Sequence, residues 1–385
     1  MSKKRELQKV RTEINEHTIE IFRLIAKRFE LGLEAGDLKN SLGLPIIDIE
    51  RERKLEKIIK KESKIIGMDE KTAKQFLRLL IKHTRNKEIE NIRINTIESQ
   101  MKKNRRISIV GGTGRMGKWF TLYFKNMGYE VEIIAKNKRK VARIAKYFRV
   151  DYTTSIDDNI NKSDIILVSV PMKATTSTIS EVLEHVKKDK IILEISSLKN
   201  DIEKEINKKF KKQKDNIISI HPLFGPGLDI NSKQQIILIK SNKTNKQKRI
   251  VTQLFPKSDI TIISAKDHDK SMAYILSLTH FINILFLSML KKQNNIDYFS
   301  TTFKIQYNLA NAILNDRTEL LADIQILNKD FNKVLDNFIK DSKEFQKIIN
   351  KKQDKELVKN IDLIKNNYKN LKSFKESYEL IYDIL

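Results

Sequence analysis

The apolar residues of the first hundred positions recur at helical spacing. From Leu7 they fall at heptad intervals in two rows, which predicts one long helix that ends near Lys39. The rows consist of Leu7, Ile14 and Ile21 on one side, and of Val10, Leu24 and Leu31 on the other. A second helix is predicted to follow Pro45, and a third to run from Asp69 to about Ile97.

Two polar side chains interrupt these rows, His17 and Arg28. A guanidinium in an apolar seam requires a compensating partner, unless it extends out to solvent. Arg11 precedes Arg28 by almost five helical turns, which is about 25 Å at the rise of an α-helix. Arg11 and Arg28 of one chain therefore cannot bind the same small ligand, and a shared ligand would require a second subunit.

Beyond a charged linker at residues 99–104, short apolar strands alternate with helical stretches. The predicted strands are 107–110, 130–135, 164–170, 190–195 and 217–220. This alternation is typical of a parallel sheet with helices on both faces. Ligands of such sheets bind beyond the carboxyl ends of the strands, where Ser197 and His221 are expected.

The chain from Asp267 to its end is predicted to be almost entirely helical. It contains an apolar run, Tyr274 to Leu290, whose length approaches that of a membrane span. Because the run includes His280, Asn283 and several hydroxyl side chains, we expect a buried helix and no membrane partner.

The first predicted strand leads directly into a glycine-rich segment, G-G-T-G-R-M-G at residues 111–117. G-x-G-x-x-G after a strand and before a helix, here expected to start near Lys118, is the fingerprint of a Rossmann dinucleotide-binding domain. Its glycines let the backbone approach a pyrophosphate at the helix N-terminus. The predicted cofactor-binding residues of this loop are Gly112, Thr113, Gly114, Arg115, Met116 and Gly117.

The end of the second predicted strand bears on the choice between NAD and NADP. An acidic residue there binds the ribose 2′-hydroxyl of NAD, whereas a cation accommodates the 2′-phosphate of NADP. The chain has no carboxylate here and carries Lys136, Asn137, Lys138 and Arg139. The sequence therefore favours NADP, with NAD as the alternative if these residues are only part of a lysine-rich surface.

Composition narrows the classes of function. The 385 residues include 75 lysines and arginines against 49 acidic residues, a net charge of +26. Because the cations are spread over the chain without interleaved aromatics, we expect a solvated surface and no nucleic-acid partner. The absence of cysteine excludes disulfides and thiolate metal sites, and no metal site is predicted. No apolar stretch suited to a signal peptide opens the chain, so we expect a cytoplasmic protein.

A chain of this length usually contains more than one hydrophobic core, so several domains are expected. The fold class is therefore multidomain: all-α at residues 1–98, an α/β Rossmann domain with a parallel sheet at 105–265, and all-α at 266–385.

The polar residues of the helical region resemble the active site of the helical chorismate mutases over about 95 residues. D-I-E-R-E at 48–52 is the most specific segment. The matching residues are Arg11, Arg28, Lys39, Asp48, Arg51, Glu52, Thr84 and Glu88. The resemblance implies a domain-swapped homodimer in which Arg11 comes from the partner. It further implies that Arg11 and Arg28 bind the two substrate carboxylates, that Lys39 and Glu88 donate to the ether oxygen, and that Asp48 and Glu52 orient the ring hydroxyl, with Arg51 in support. The alternative is a helical dimerisation arm.

Three further motifs resemble those of prephenate dehydrogenases in the same order, between about Arg105 and Ile324. They are S-S-L-K-N at 196–200, H-P-L-F-G-P at 221–226 and D-H-D-K-S-M at 267–272. The resemblance implies that His221 accepts the proton of the substrate hydroxyl while hydride leaves the same carbon. It implies that Ser197 hydrogen-bonds nearby and that His268 and His280 lie near the substrate and the domain interface. Chorismate and prephenate are the implied substrates.

One position departs from this pattern. Where the family carries an arginine that binds a substrate carboxylate, this chain has Ala312. Lys304 or Arg317 could take its place, although a lysine does not reproduce a bidentate fork. The departure leaves open arogenate as substrate, or a Rossmann domain that only senses a nucleotide. Dehydrogenases of the six-phosphogluconate type and imine reductases share the glycine motif but not the H-P-L-F-G-P segment or the attached mutase.

The carboxyl group of Glu88 generates a prediction for the mutase reaction. A carboxyl group donates a hydrogen bond to an ether oxygen only when it is protonated. We therefore expect a mutase optimum on the acid side of neutrality, and Glu88→Gln should flatten that pH dependence. Chorismate consumption measured across pH tests this, and an unchanged profile in the variant would contradict it.

Overall fold

The computed structural model describes residues 3–42, 48–100, 105–210, 214–291 and 299–367. The side chains of residues 86–100, which include Glu88, lie outside this description, as does Pro45. The chain divides into two compact units, Met1–Lys103 and Asn104–Leu385.

The first unit consists of three helices, as the apolar spacing predicts. They are α1 (Lys3–Ser41), α2 (Ile49–Ile65) and α3 (Glu70–Gln100). Asp48 begins α2, because its carboxylate accepts a hydrogen bond from the backbone N–H of Arg51 at 2.9 Å. Both α1 and α2 pack against α3, with Ala73 and Leu77 buried. The two apolar rows of α1 remain exposed in the single chain.

The second unit is built on one eight-stranded sheet in the order β3-β2-β1-β4-β5-β6-β7-β8. The strands are β1 (Arg106–Val110), β2 (Glu130–Ile134), β3 (Asp151–Thr153), β4 (Ile165–Val168), β5 (Ile191–Glu194), β6 (Ile217–Pro222), β7 (Gln235–Ile239) and β8 (Asp259–Ile263). The five predicted strands are confirmed, whereas β3, β7 and β8 were not predicted. The expectation of a parallel sheet holds for every neighbouring pair except β6 and β7, which are antiparallel. No helix connects those two strands, so the chain returns in the opposite direction.

Five helices flank this sheet. They are α4 (Arg115–Asn126), α5 (Lys138–Phe148), α6 (Thr175–His185), α7 (Asn200–Lys209) and α8 (Thr244–Leu254). Helix α4 starts at Arg115, three residues before the expected Lys118, because Gly114 is already its N-cap. Phe120 and Phe124 on α4 are fully buried beside Phe255, and they join α4 and α8 to the sheet.

The described residues after β8 are mostly helical, as expected. Their helices are α9 (Ala265–Met272), α10 (Thr279–Leu290), α11 (Thr301–Leu314), α12 (Thr318–Leu327), α13 (Phe331–Asn350) and α14 (Asp354–Asn367), and a π-helical turn at Ala273–Leu278 joins α9 to α10. The continuous helix Ala265–Leu290 is long and apolar enough to cross a membrane, by length and composition only. The expectation that it is buried is wrong for the single chain, since only 17% of its apolar window is buried. The other described helices leave Tyr274, Ile275 and Met289 uncovered.

Candidate active sites

The loop between β1 and α4 has the geometry of a dinucleotide cradle. Gly111 adopts a left-handed conformation with φ +86°, and a Cβ added at Gly112 would lie 2.6 Å from the side chain of Ile133. A Cβ added at Gly117 would overlap the carbonyl oxygen of Gly111. Glycine is therefore required for the tight turn that leads into the N-terminus of α4, where free N–H groups suit a pyrophosphate. The residues present fit a nicotinamide dinucleotide.

The other loop residues lie at the same place. Thr113 and Met116 are half-buried, and Arg115 is exposed on the first turn of α4. The guanidinium of Arg115 donates to the carboxylate of Asp316 at 2.9 Å and also to the carbonyl oxygen of Asn315. Arg115 thus links the glycine loop to the connection between α11 and α12.

The cations predicted to select the cofactor follow β2 directly. Lys136, Lys138 and Arg139 are exposed. The side chain of Asn137 has a structural contact instead. Its oxygen accepts a hydrogen bond from the backbone N–H of Lys140 at 2.9 Å and caps the N-terminus of α5. The three cations therefore lie exposed just after β2, while Asn137 positions the helix that carries two of them.

His221, at the carboxyl end of β6, is buried and belongs to a chain of hydrogen bonds. Its Nδ1 lies 2.9 Å from Nε2 of His268 on α9. Nδ1 of His268 lies 2.7 Å from the carboxylate of Asp269. That carboxylate also accepts the backbone N–H groups of Lys199 and Asn200 at 2.9 and 2.8 Å. The structure therefore brings together the two predicted histidines, and it adds Asp269, which the motif contained but the prediction omitted.

A buried ion pair lies beside this chain. Lys199 and Glu194 are fully buried, and the ammonium of Lys199 donates to the Glu194 carboxylate at 2.8 Å. The ammonium also donates to the carbonyl oxygen of Ile220 at 2.6 Å, and the carboxylate accepts from the hydroxyl of Ser219. Glu194 was not predicted, although a carboxylate at the end of an apolar strand, five residues before a lysine, is a readable signal. The pair fixes the loop after β5 to β6 immediately before His221.

Burial sets the protonation of the histidines. Burial lowers the pKa of His221 well below its ordinary value, and the charge of Lys199 lowers it further. Burial also lowers the pKa of His280 on α10, against the opposing effect of Asp316. His221 is therefore neutral at physiological pH, as a base must be.

The remaining predicted dehydrogenase residues lie in two places. Ser197 is half-buried in the loop after β5. His280 is half-buried, and its Nδ1 is enclosed without a hydrogen-bond partner among the described residues. Ala312 and Lys304 are exposed on α11, and Arg317 is 63% exposed beside Glu319. Arg115 is a cation that does reach the segment one turn beyond Ala312.

In the first unit the structure joins Arg28 and Thr84, two of the predicted mutase residues. The half-buried guanidinium of Arg28 donates to the Thr84 hydroxyl at 2.7 Å and to the carbonyl oxygen of Leu80 at 3.3 Å. Gly32 makes this contact possible, since a Cβ there would overlap the Thr84 methyl group. Arg28 is therefore held between α1 and α3 and does not extend freely into solvent.

The other predicted mutase residues whose side chains are described lie on α1 and α2 and at the N-cap of α2. Arg11 and Arg51 are exposed, Lys39 is half-buried, and Asp48 caps α2. The carboxylate of Glu52 accepts from both Nε and Nη2 of Arg85, the first at 2.6 Å. Arg85 was not predicted, because it lies outside the apolar rows and outside the resemblance. The forked pair ties α2 to α3 and restricts how Glu52 can turn.

Three protein families match successive parts of the chain. Residues 10–89 match chorismate mutase type II, residues 120–263 match the nucleotide-binding domain of prephenate dehydrogenase, and residues 264–363 match the dimerization domain of prephenate dehydrogenase. Together these matches cover both compact units.

Individual relatives show the same division. A chorismate mutase of Methanocaldococcus jannaschii is 33% identical over 97 residues, which are 25% of this chain and 96% of that protein. A probable arogenate/prephenate dehydrogenase of the same organism is 30% identical over 271 residues, 66% of this chain. The T-protein of Haemophilus influenzae is 25% identical over 332 residues, 85% of this chain. The chain spans 59% of the length of the dehydrogenase relative and 82% of the T-protein.

A solved structure shares the fold of the second unit. The prephenate dehydrogenase of A. aeolicus in complex with hydroxyphenyl propionate and NAD+ aligns with a TM-score of 0.58 at 18% identity. The alignment covers 69% of this chain and 98% of that one. The likeness supports the Rossmann domain and the helical domain that follows it.

The buried pair of Lys199 and Glu194 generates a stability prediction. Lys199→Met or Glu194→Gln leaves the other group without its main partner, so each should lower the free energy of unfolding by about 3–5 kcal/mol. The double variant should lose less than the sum, because it leaves neither charge unpaired. Urea unfolding followed by the single tryptophan, Trp119 on α4, reports this unit.

Lys204→Met is the matched control. Lys204 is 64% exposed and lies 3.8 Å from Asp201, so its loss should change stability by no more than about 0.5 kcal/mol. Strict additivity of the two buried substitutions would contradict the pairing.

Proposed function

Because the chain belongs to the family that joins a type II chorismate mutase to a prephenate dehydrogenase, we propose that it converts chorismate to prephenate and then oxidises prephenate with loss of carbon dioxide. The product of the second reaction is 4-hydroxyphenylpyruvate. The observation that carries the dehydrogenase assignment is the buried, neutral His221 at the end of β6.

The mutase reaction requires no nucleophile and no cofactor, because it is an intramolecular rearrangement. Restricting the substrate conformation and stabilising developing charge are sufficient. Arg28, held by Thr84 and Leu80, is positioned to bind a carboxylate. Glu52, fixed by Arg85, is positioned for the ring hydroxyl. Lys39, Asp48, Arg51 and Glu88 keep the roles implied by the resemblance, as part of this proposal.

In the dehydrogenase reaction, a nicotinamide bound at the glycine loop would supply the acceptor for the hydride on the ring carbon that bears the hydroxyl. His221 accepts the hydroxyl proton at Nε2, and the carbon–oxygen bond becomes a carbonyl. The ring carboxylate then leaves as carbon dioxide, and its bonding electrons aromatise the ring and place negative charge on the carbonyl oxygen. The proton on His221 returns to that oxygen, so the base is regenerated without net proton release. Ser197, in the loop after β5, is proposed to hydrogen-bond the same hydroxyl. His280, in the first turn of α10, is proposed to lie near the substrate.

We propose that both reactions take place in a homodimer. The apolar rows of α1 are exposed, with Leu24 at 62% and Leu31 at 57%. The helix Ala265–Leu290 is also mostly uncovered, and it lies within the part matched by a dimerization domain. A second copy would cover these faces and would bring its Arg11 to the site of Arg28, which the distance argument requires.

Arogenate is the second candidate substrate of the dehydrogenase. Ala312 stands where the resemblance expects an arginine, and a relative is described as a probable arogenate/prephenate dehydrogenase. Lys304 and Arg317, the two cations that the sequence offered for this place, are turned to solvent, whereas Arg115 contacts the carboxylate of Asp316 just beyond α11. We therefore propose that Arg115 substitutes for the arginine expected at Ala312 and binds a substrate carboxylate. We further propose that the enzyme is cytoplasmic and acts on prephenate.

The two activities should be separable by single substitutions in the full chain. Arg28→Ala should reduce chorismate consumption at least 100-fold, because it removes a carboxylate partner, and leave oxidation of added prephenate within about twofold. His221→Asn should reduce prephenate oxidation about 100-fold or more and leave the mutase unchanged. Chorismate absorbance and reduced-nicotinamide absorbance measure the two reactions independently, with arogenate tested alongside prephenate.

Matched substitutions serve as controls for these two. Arg23→Ala removes an exposed cation from the same helix as Arg28. His185→Asn removes a histidine of the second unit that lies on α6 and outside the proposed site. Neither should change either rate by more than about twofold. Loss of both activities in Arg28→Ala would contradict the division into two sites.

The exposed cations after β2 support NADP as the preferred cofactor. Replacing Lys136, Lys138 and Arg139 together by alanine should lower kcat/KM for NADP+ at least 10-fold and change that for NAD+ little, because only NADP carries the 2′-phosphate. Lys146→Ala, an exposed lysine at the other end of α5, is the control. Equal losses with both cofactors would argue against cofactor selection by these residues.

A further inference from the structure

Three side chains form a continuous line of hydrogen bonds that begins at the proposed base, His221. His221 contacts His268 at 2.9 Å, and His268 contacts Asp269 at 2.7 Å. His268 is fully buried, and its side chain has no exposed surface. Both nitrogens of His268 are therefore committed to these two contacts, and neither can reach the substrate directly.

The hydrogen bonds of Asp269 decide which nitrogens carry protons. One carboxylate oxygen accepts the backbone N–H of Lys199, and the other accepts that of Asn200. A carboxylate that accepts from backbone donors is also an acceptor toward His268, so Nδ1 of His268 must donate. An imidazole with its single proton on Nδ1 has a lone pair on Nε2, and in that arrangement Nδ1 of His221 donates to Nε2 of His268. Only Nε2 of His221 is left with a lone pair.

We infer that His268 is a positioning residue, which holds His221 in the tautomer whose Nε2 can accept the substrate proton, and that Asp269 fixes His268 in turn. The inference deepens the proposed dehydrogenase function and rests on it. When His221 becomes an imidazolium, its Nδ1–H already points at the lone pair of His268. The charge that forms is therefore met by an oriented acceptor and, one residue further, by a carboxylate.

The charged groups that face this line from neighbouring elements include Glu203 on α7, which lies near Asp269, and the pair of Lys199 and Glu194. Lys199 faces His221 from the loop after β5, but its charge is balanced by Glu194. The chain of hydrogen bonds that runs through His268 to Asp269 thus provides the stabilising partner of the imidazolium. Burial shields the line from water, which strengthens each of these contacts.

The test uses three variants of the full-length protein. His268→Leu removes the acceptor of the His221 proton, whereas His268→Gln can place its amide oxygen near the former Nε2 and accept that proton. Lys266→Ala changes an exposed lysine on the same helix and is the control. The mutase rate of each variant verifies that the first unit is intact, and the tryptophan fluorescence of Trp119 verifies the second.

We expect His268→Leu to lower kcat for prephenate oxidation at least 10-fold with little change in KM, and His268→Gln to recover part of that loss. The acid limb of the kcat profile should move to lower pH in His268→Leu, because the imidazolium loses its acceptor. An unchanged kcat and pH profile in His268→Leu, alongside an active parent enzyme, would overturn the inference. A parent enzyme that does not oxidise prephenate or arogenate would instead overturn the proposed function.

A second measurement does not depend on a variant. The protein has six histidines, few enough for nitrogen-15 NMR to distinguish their tautomers after selective labelling. We expect neutral His221, assigned by its loss in His221→Asn, to carry its proton on Nδ1. A proton on Nε2 would overturn the inference whatever the kinetics show.

Discussion

The dehydrogenase half of the molecule depends on charge buried at the carboxyl ends of β5 and β6. Lys199 and Glu194 would each be strongly unfavourable in this position alone, and together they hold the loop after β5 against the strand that ends at His221. The carboxylate of Asp269 accepts hydrogen bonds from two backbone N–H groups at the end of the same loop, and it thereby orients His268. The basicity and direction of His221 therefore follow from how the loop is anchored.

The mutase half uses a guanidinium in a comparable way. Arg28 lies in a row that would otherwise be apolar, and the hydroxyl of Thr84 and the carbonyl of Leu80 orient it. These two acceptors hold the guanidinium between α1 and α3. The forked contact of Glu52 with Arg85 orients a carboxylate in the same unit, between α2 and α3.

Periodicity and motif order were sufficient to predict the three N-terminal helices, five strands of the sheet and the glycine loop. The sequence did not predict the return of β7 beside β6, because the connection carries no helix and β-strand pairing is non-local. It also did not predict Arg85, whose partner Glu52 lies in another helix, or Glu194, because the spacing to Lys199 does not show that both side chains are buried. The helix Ala265–Leu290 was misjudged as buried for a different reason: apolar composition shows that a face must be covered, but not whether the same chain covers it.

The central property proposed for this protein is that one polypeptide performs both reactions in sequence. Purified full-length protein, given only chorismate and NADP+, should consume chorismate and form reduced nicotinamide and carbon dioxide in equal amounts, with 4-hydroxyphenylpyruvate as product. Loss of chorismate with accumulation of prephenate and no reduced nicotinamide, with either NADP+ or NAD+, would contradict it.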